Sequence, residues 1–385
     1  MQPVYLDNNA TTRVDPEVVA AMLPYFSEQF GNASSMHAFG ADVGGAIKTA
    51  RQRIQDLLGA EFDHEIVFTS GGTESDNTAI LSALETQAGR NEVVTSTVEH
   101  PAILALCEHL EKTRGVKVHR IPVDSKGRLD INAYRRALGP RTAVASIMWA
   151  NNETGTIFPV EQLAEIAHEA GALFHTDAVQ AAGKLPINLK TTAIDMLSFS
   201  AHKLHGPKGI GGLYVRAGVS IRPTRFGGTG VNSVDPYHLE EYPYRLEAGT
   251  GNVLGIAGLH FAQAYIAKRG IVSIYAHEME LFASLQGGLA GIEGVTLHGT
   301  TGLENRLPVL SFTVAGRDPA DIGTLLDVDY NIAARTGLQC APLIHQQMGT
   351  GERGTVRLSV GPMNRASDVD SAVAAVAEIA AEART

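Results

Sequence analysis

Short apolar stretches alternate with helix-spaced ones along most of this chain. Glu65 to Thr69, Glu92 to Ser96, Val116 to Ile121, Thr142 to Trp149, Leu173 to Thr176 and Ile194 to Phe199 are runs of the kind that fill buried strands. Between them lie helical patterns: about Gly40 to Leu58, Ser75 to Glu85, a segment opened by Glu99-His100-Pro101 and running to about Arg114, and Val160 to Glu169. An earlier helix is expected at Asp15-Pro16, a capping residue followed by proline at the first helical position. Strands separated by helices of this length predict an α/β fold, a mostly parallel sheet with helices on both faces and a ligand at the strands' carboxyl ends.

The pattern changes near Gly249 to Gly258. One long helical region, roughly Gly255 to Leu289, leads to strands near Val295 to Leu297 and Leu307 to Val314. A helix from Pro319 to Leu326, strands near Tyr330 to Ala334 and Thr355 to Val360, and a last helix from a capping Ser367 to about Glu382 complete the chain. This tail predicts a smaller α+β domain. The expected division is a large domain over 15–255 and a small one built from 1–14 and 256–385.

Composition narrows the setting. The 385 residues are 44% hydrophobic and 19% charged, enough for a sizeable core, and the net charge of −10 opposes nonspecific nucleic-acid binding. No apolar run reaches the roughly eighteen residues of a membrane span, and the N-terminus lacks the basic-then-apolar order of a secretory signal. The two cysteines, Cys107 and Cys340, exclude a disulfide scaffold and suit a reducing cytoplasm.

Candidate chemistry clusters where the strands end. The strand Ile194 to Phe199 delivers Ser200, His202 and Lys203 onto a turn tightened by Gly206, Pro207 and Gly209. A lysine just past a buried strand, preceded by hydroxyl and imidazole donors, suits a Schiff base beside a phosphate; a solvated surface turn is the plain alternative. Ser70-Gly71-Gly72-Thr73 puts backbone amides and a hydroxyl at a helix mouth, an anion site or an ordinary turn. Asp177, with Gln180 on the same turn, suits either a helix cap or the partner of a protonated ring nitrogen. His100 suits a cap, a core position or a ring that stacks on a flat ligand and moves protons. Asn151-Asn152 offers amide donors, and Arg357 suits bidentate carboxylate binding. Cys340 lies in a loop close in sequence to Arg335, where a thiol gains nucleophilicity, whereas Cys107 sits on an apolar helix face as a filler. His202 with His205, or His100 with His109, lack the partners a zinc site needs, so no metal is expected.

Together these residues resemble fold-type I, class V pyridoxal-phosphate enzymes, specifically cysteine desulfurases. The likeness is carried by Tyr5-Leu6-Asp7-Asn8-Asn9-Ala10-Thr11-Thr12, Thr69-Ser70-Gly71-Gly72-Thr73-Glu74-Ser75-Asp76-Asn77, Val98-Glu99-His100-Pro101, Met148-Trp149-Ala150-Asn151-Asn152-Glu153-Thr154-Gly155, His175-Thr176-Asp177-Ala178-Val179-Gln180 and His202-Lys203-Leu204-His205. These are NifS-like over the first 220 or so residues. The resemblance implies pyridoxal 5'-phosphate as cofactor, with Lys203 its Schiff-base lysine, Asp177 at the ring nitrogen, Gln180 at the ring hydroxyl and His100 stacked on the ring. Gly72, Thr73, Ser200 and His202 would hold the phosphate, helped by Thr250 from the partner of a homodimer. Asn152 and Arg357 would bind the carboxylate of the substrate L-cysteine. Cys340 would take the sulfur as a persulfide, for an acceptor or iron–sulfur scaffold protein. Around Cys340, Arg335-Thr336-Gly337-Leu338-Gln339-Cys340-Ala341-Pro342 is similar instead to the SufS-like group, as is Glu247-Ala248-Gly249-Thr250. The rivals are a selenocysteine lyase, a class V aminotransferase and a noncatalytic sulfur carrier or scaffold.

Overall fold

The computed structural model describes residues 3–230, 238–300, 302–338 and 342–383. The chain opens with β1 (Val4–Tyr5), α1 (Pro16–Met22), α2 (Pro24–Ser27) and α3 (Ala38–Leu58). Asp15 caps α1 by accepting the Glu17 amide at 2.8 Å, with Pro16 at the first helical position. There follow β2 (Ile66–Thr69), α4 (Gly72–Thr86), β3 (Glu92–Ser96), α5 (Pro101–Arg114), β4 (Lys117–Ile121), α6 (Ile131–Ala137), β5 (Thr142–Ser146), α7 (Val160–Glu169), β6 (Leu173–Asp177), β7 (Met196–Ser200) and β8 (Gly211–Val215).

Strands β2 to β8 form one seven-stranded sheet in the order β2-β8-β7-β6-β5-β3-β4. The pairs from β4 across to β7 are parallel, and β8 alone runs against both its neighbours. Helices cover both faces, so β2, β3, β5, β7 and β8 are buried along their whole length. Two glycines open β8 because nothing larger fits. A Cβ on Gly211 would lie 2.5 Å from the Phe199 carbonyl, and one on Gly212 2.3 Å from the Phe199 ring. Cys107 is buried on α5, its thiol pushed up to about 12 by burial, and acts as a filler.

Beyond the large sheet come α8 (Val253–Arg269), α9 (Ile271–Ala290), β9 (Val295–His298), β10 (Val309–Val314), α10 (Pro319–Val328), β11 (Ile332–Ala333), β12 (Arg335–Gly337), α11 (Pro342–Gln347), β13 (Thr355–Ser359) and α12 (Ala366–Glu382). Strands β12-β13-β10-β9 make an antiparallel sheet, and β1 pairs in parallel with β11. Leu6 joins the core of this part, with Phe282, Leu285, Phe312, Leu358 and Val376. By contrast α8 packs Ile256, Leu259 and Ile266 into the core of the large sheet.

Three boundaries differ from the sequence pattern. The single helical region expected over 255–289 is two helices, because Gly270 at φ +82° takes a conformation that ends α8. The strand expected over 330–334 is only the short β11, and β12 follows it at once but joins a different sheet. The last helix is capped at Arg365 and not at Ser367: the Asp368 carboxylate accepts the Arg365 amide at 3.1 Å, an anion where a helix start favours one. No helix among the described residues is long and apolar enough to cross a membrane.

One buried cation ties the two sheets together. Arg306 is fully buried, lies 4.3 Å over the Phe282 ring, and donates to the carbonyls of Thr154 at 3.2 Å, Val309 at 2.7 Å, Gly302 at 3.2 Å and Thr300. Thr154 follows β5 of the large sheet, and Val309 begins β10 of the small one. Arg306→Met keeps the bulk but strips these carbonyls of their donors. We expect a loss of about 3 kcal/mol, seen as a thermal midpoint several degrees lower; an unchanged midpoint refutes the tie.

Candidate active site

The carboxyl ends of β2, β3, β5, β6 and β7 open on one cavity of about 310 Å³. Gly72, Thr73, His100, Asn152, Asp177, Gln180, Ser200, His202, Lys203 and Arg357 all line it, so ten of the positions singled out in the sequence meet there. Thr250 is exposed and does not line this cavity. Cys340 lies outside the described residues.

Most of these side chains follow a strand end, whereas Arg357 sits in the middle of β13. β7 ends at Ser200 and passes into one tight turn, Ala201–Lys203, which turns the lysine back over the cavity. There Lys203 Nζ donates to the main-chain carbonyls of Asn9 and, at 2.9 Å, of Ala10. Burial pushes this amine down to about 7, with the Lys184 and Arg357 charges adding to it and Asp7 and Asp177 opposing. Asp177 closes β6 and accepts the Val179 amide at 2.8 Å. Burial pushes its carboxyl up, while His100, the Val179 amide and Lys203 pull the other way.

His100 is both a cap and a cavity residue. Its Nδ1 accepts the Ala102 amide at 3.1 Å and so starts α5. Burial lowers its pKa, so the ring is neutral with its proton on Nε2. At the cavity's other end, α4 begins at Gly72 and aims its first amides at the space between Thr73, Ser200 and His202. Gly71 precedes it at φ +151°, closed to other L residues. A Cβ on Gly72 would stand 2.7 Å from Val179 Cγ2, so side-chain bulk is kept out of this mouth.

Substrate-side groups are already engaged. Arg357 is buried and donates to Asp7 Oδ1 at 3.0 Å, Glu153 Oε1 at 3.0 Å and the Asn152 carbonyl at 3.1 Å. Asn152 Nδ2 donates to the same Glu153 oxygen at 2.6 Å. Gln180 Nε2 donates to the Asn9 carbonyl at 3.1 Å.

Several contributors were not assigned a role from the sequence. Asn9, Ala10 and Asp7 were read only as motif letters, because a polar run after a short strand says nothing about which carbonyl it will present. Asp76 keeps a buried oxygen without a hydrogen-bond partner, 3.7 Å from His175 Nε2. Its signal was available: it follows Thr73 by three positions, hence on the same face of α4. Glu153 enters the sequence reading only within a motif, and Lys184 not at all.

The donor set fits one kind of occupant. Amides, Thr73, Ser200 and His202 form an anion cradle at one end, Asp177 offers a carboxylate that suits a cationic group at the other, and Lys203 offers an amine between. The unpartnered Asp76 oxygen adds acceptor capacity on the Asp177 side.

This fold is that of the class-V aminotransferases. The family model for aminotransferase class-V matches residues 4–372, and the chain belongs to that family. Within it, the chain falls among the cysteine desulfurases. A curated protein named cysteine desulfurase from Gluconacetobacter diazotrophicus is 57% identical, over 100% of this chain and 95% of its own. Cysteine desulfurase NifS of Azotobacter vinelandii is 46% identical over 100% of this chain and 94% of its own. The solved apo cysteine desulfurase from Thermococcus onnurineus superposes with a TM-score of 0.93 at 32% identity, covering 99% of this chain and 95% of that one.

The lowered pKa of Lys203 has a measurable consequence in the chain without cofactor. Below about pH 7 the folded state holds a buried charge that the unfolded state solvates. The penalty is complete there and vanishes as pH rises from about 7 toward the ordinary lysine value of 10.5. Lys203→Met should therefore be the more stable form at pH about 6 in denaturant titrations, with its advantage shrinking by pH about 9. A gap independent of pH refutes the assignment.

Proposed function

We propose that this chain is a pyridoxal-phosphate-dependent cysteine desulfurase that converts L-cysteine to L-alanine and transfers the sulfur to Cys340. The observation that carries this reading is the lysine amine with a pKa of about 7, set between an anion cradle and a buried carboxylate, in a chain related end to end to curated cysteine desulfurases. Gly72, Thr73, Ser200 and His202 would hold the phosphate, Asp177 the ring nitrogen and Gln180 the ring hydroxyl. Bound in that way, pyridoxal phosphate supplies an aldehyde that captures amines and a cationic ring that withdraws electrons.

The chain's own groups supply the rest. Lys203, close to half deprotonated at neutral pH, is a nucleophile and a base that needs no strong partner to lose its proton. His100 would stack on the ring, and its neutral imidazole gives and retrieves a proton at Nε2. Arg357 takes the substrate carboxylate with Asn152 beside it. Arg357 keeps its Asp7 and Glu153 pairs and offers that carboxylate its Nε, which has no hydrogen-bond partner. Cys340, as thiolate, attacks the substrate's sulfur: the carbon–sulfur bond breaks, a sulfur–sulfur bond forms, and the carbon takes a proton to become the methyl of alanine. The persulfide then passes to an acceptor or iron–sulfur scaffold protein. A reducing cytoplasm suits such a thiol.

The homodimer belongs to the same reading, with Thr250 reaching the partner's phosphate site. It draws support from the exposed apolar side chains of Leu23, Phe26, Phe30, Met36 and Phe39, more than isolated surface positions require.

Two outcomes test the reading. Lys203→Ala should stay colourless with pyridoxal phosphate, whereas the parent chain turns yellow and its band shifts on adding cysteine. Cys340→Ala should keep the colour but lose at least about a hundredfold in alanine and persulfide formation from cysteine. Undiminished alanine release by Cys340→Ala would exclude the persulfide route, and a rate with selenocysteine far above that with cysteine would favour a selenocysteine lyase.

A further inference from the structure

Asn9 is the joint of the site. Its main-chain carbonyl receives Lys203 Nζ and Gln180 Nε2, its side-chain amide donates to the Asn152 carbonyl at 3.2 Å, and its own amide donates to Ser359 Oγ at 2.9 Å. The remaining side-chain oxygen is held by a second lysine. Lys184, 6% exposed, donates to Asn9 Oδ1 at 3.1 Å and to Gln180 Oε1 at 3.4 Å. Burying an ammonium is expensive, and a helix-capping or packing role would be served by a neutral residue. The carboxylate that offsets its charge is Glu278 of α9, 2% exposed, with one oxygen that has no hydrogen-bond partner.

We propose that Lys184 is a positioning residue for Lys203: its buried ammonium clamps the Asn9 that receives the Lys203 amine, and places a second positive charge beside that amine. The inference rests on the reading of Lys203 as the cofactor-holding lysine, but it concerns the amine itself and is tested on the chain alone.

The clamp acts in two ways. By fixing Asn9 from its far side, Lys184 fixes the carbonyl against which Lys203 rests, and with it Gln180. By like charge it opposes protonation of Lys203, the largest influence on that amine after burial. The other charges facing Lys203 are Arg357 from β13, Asp7 from the N-terminal segment and Asp177 from β6, with His100 and His202 close by. Those facing Lys184 are Glu278 and Arg357, and His205 feels its charge. Glu278, pushed up to about 7 by burial, takes a proton readily when the ammonium is removed. Loss of Lys184 therefore removes a positive charge from Lys203 without leaving a negative one behind.

The test is competitive labelling of the full-length, cofactor-free chain with trace acetic anhydride between pH about 5 and 10, reading the Lys203 peptide by mass spectrometry against the exposed Lys48. The parent chain should show a Lys203 midpoint near 7. In Lys184→Met the midpoint should rise by about one unit, which slows Lys203 labelling at pH 7 about fivefold. Lys184→Arg, which keeps the charge, should stay near the parent value. Lys184→Met combined with Glu278→Gln, which also removes the facing carboxyl, should show the same rise and serves if the single variant does not fold. An unchanged midpoint in the Met variants, or an equal rise in Lys184→Arg, overturns the proposal. A Lys203→Ala chain that still captured pyridoxal phosphate covalently would overturn the cofactor assignment instead, and leave the amine titration standing.

Discussion

A guanidinium buried where three chain segments meet must be paired on each side, or the fold pays several kcal/mol for it. Arg357 meets that demand with Asp7 from the N-terminal segment, Glu153 from the loop after β5 and the carbonyl of Asn152. The pairing does more than neutralise a charge. It draws β13 of the small sheet, the first residues of the chain and the edge of the large sheet to one point. Residues 8–10 follow directly from Asp7, so the carbonyls that receive Lys203 are held in place by the same arrangement. The N-terminal segment is thereby part of the site, although it belongs to the core of the small sheet through Leu6.

The cavity is divided electrostatically by this construction. Lys203, Lys184 and Arg357 gather on one side, whereas Asp177, Asp76 and Glu99 lie on the other. Burial then decides which of the acids carries charge. Glu99 is pushed up to about 8, so it holds a proton at neutral pH, and burial pushes Asp76 well above the usual carboxylate range. His175, beneath Asp177 and hydrogen-bonded to Ser146 and Ser198 at 2.8 Å each, is pushed down to about 3 and stays neutral. Asp177 is raised as well, but His100, the Val179 amide and Lys203 all favour its ionised form. Two of these supports, His100 and Lys203, are charges or rings that line the cavity beside it, and a cationic ring nitrogen would add another.

Much of this was legible in the sequence because strand–helix alternation fixes where strand ends fall, and polar residues at strand ends rarely serve the core. Asp177, Lys203, His100 and Thr73 could be picked out for that reason. The two readings of His100, cap or ligand-facing group, do not compete: one ring nitrogen caps α5 and the rest of the ring faces the cavity. Asp177 caps no helix; it accepts the Val179 amide within a turn and faces the cavity. What could not be read was the set of partners. That Asn9 rather than Asn8 meets Lys203, or that Asp7 meets Arg357, depends on a contact between residues more than 190 positions apart, which no local pattern encodes. A helix start is hard to locate from sequence where a side chain three residues further on accepts the first free amide, as Asp368 does for Arg365.

The same physics separates what is general in this site from what is particular. A lysine with a lowered pKa, an anion cradle and a buried acid serve any reaction that begins by capturing an amine. They say nothing about sulfur. The distinction has to come from a group able to attack sulfur and then surrender it, which requires a thiolate outside the buried cavity, reachable by both substrate and acceptor. Cys107 fails on that ground, since burial pushes its thiol up to about 12 and no surface reaches it. Cys340 lies outside the described residues, five positions after Arg335, which lines the cavity. The large sheet thus prepares the amine chemistry, and under the proposed reading the sulfur chemistry falls to Cys340.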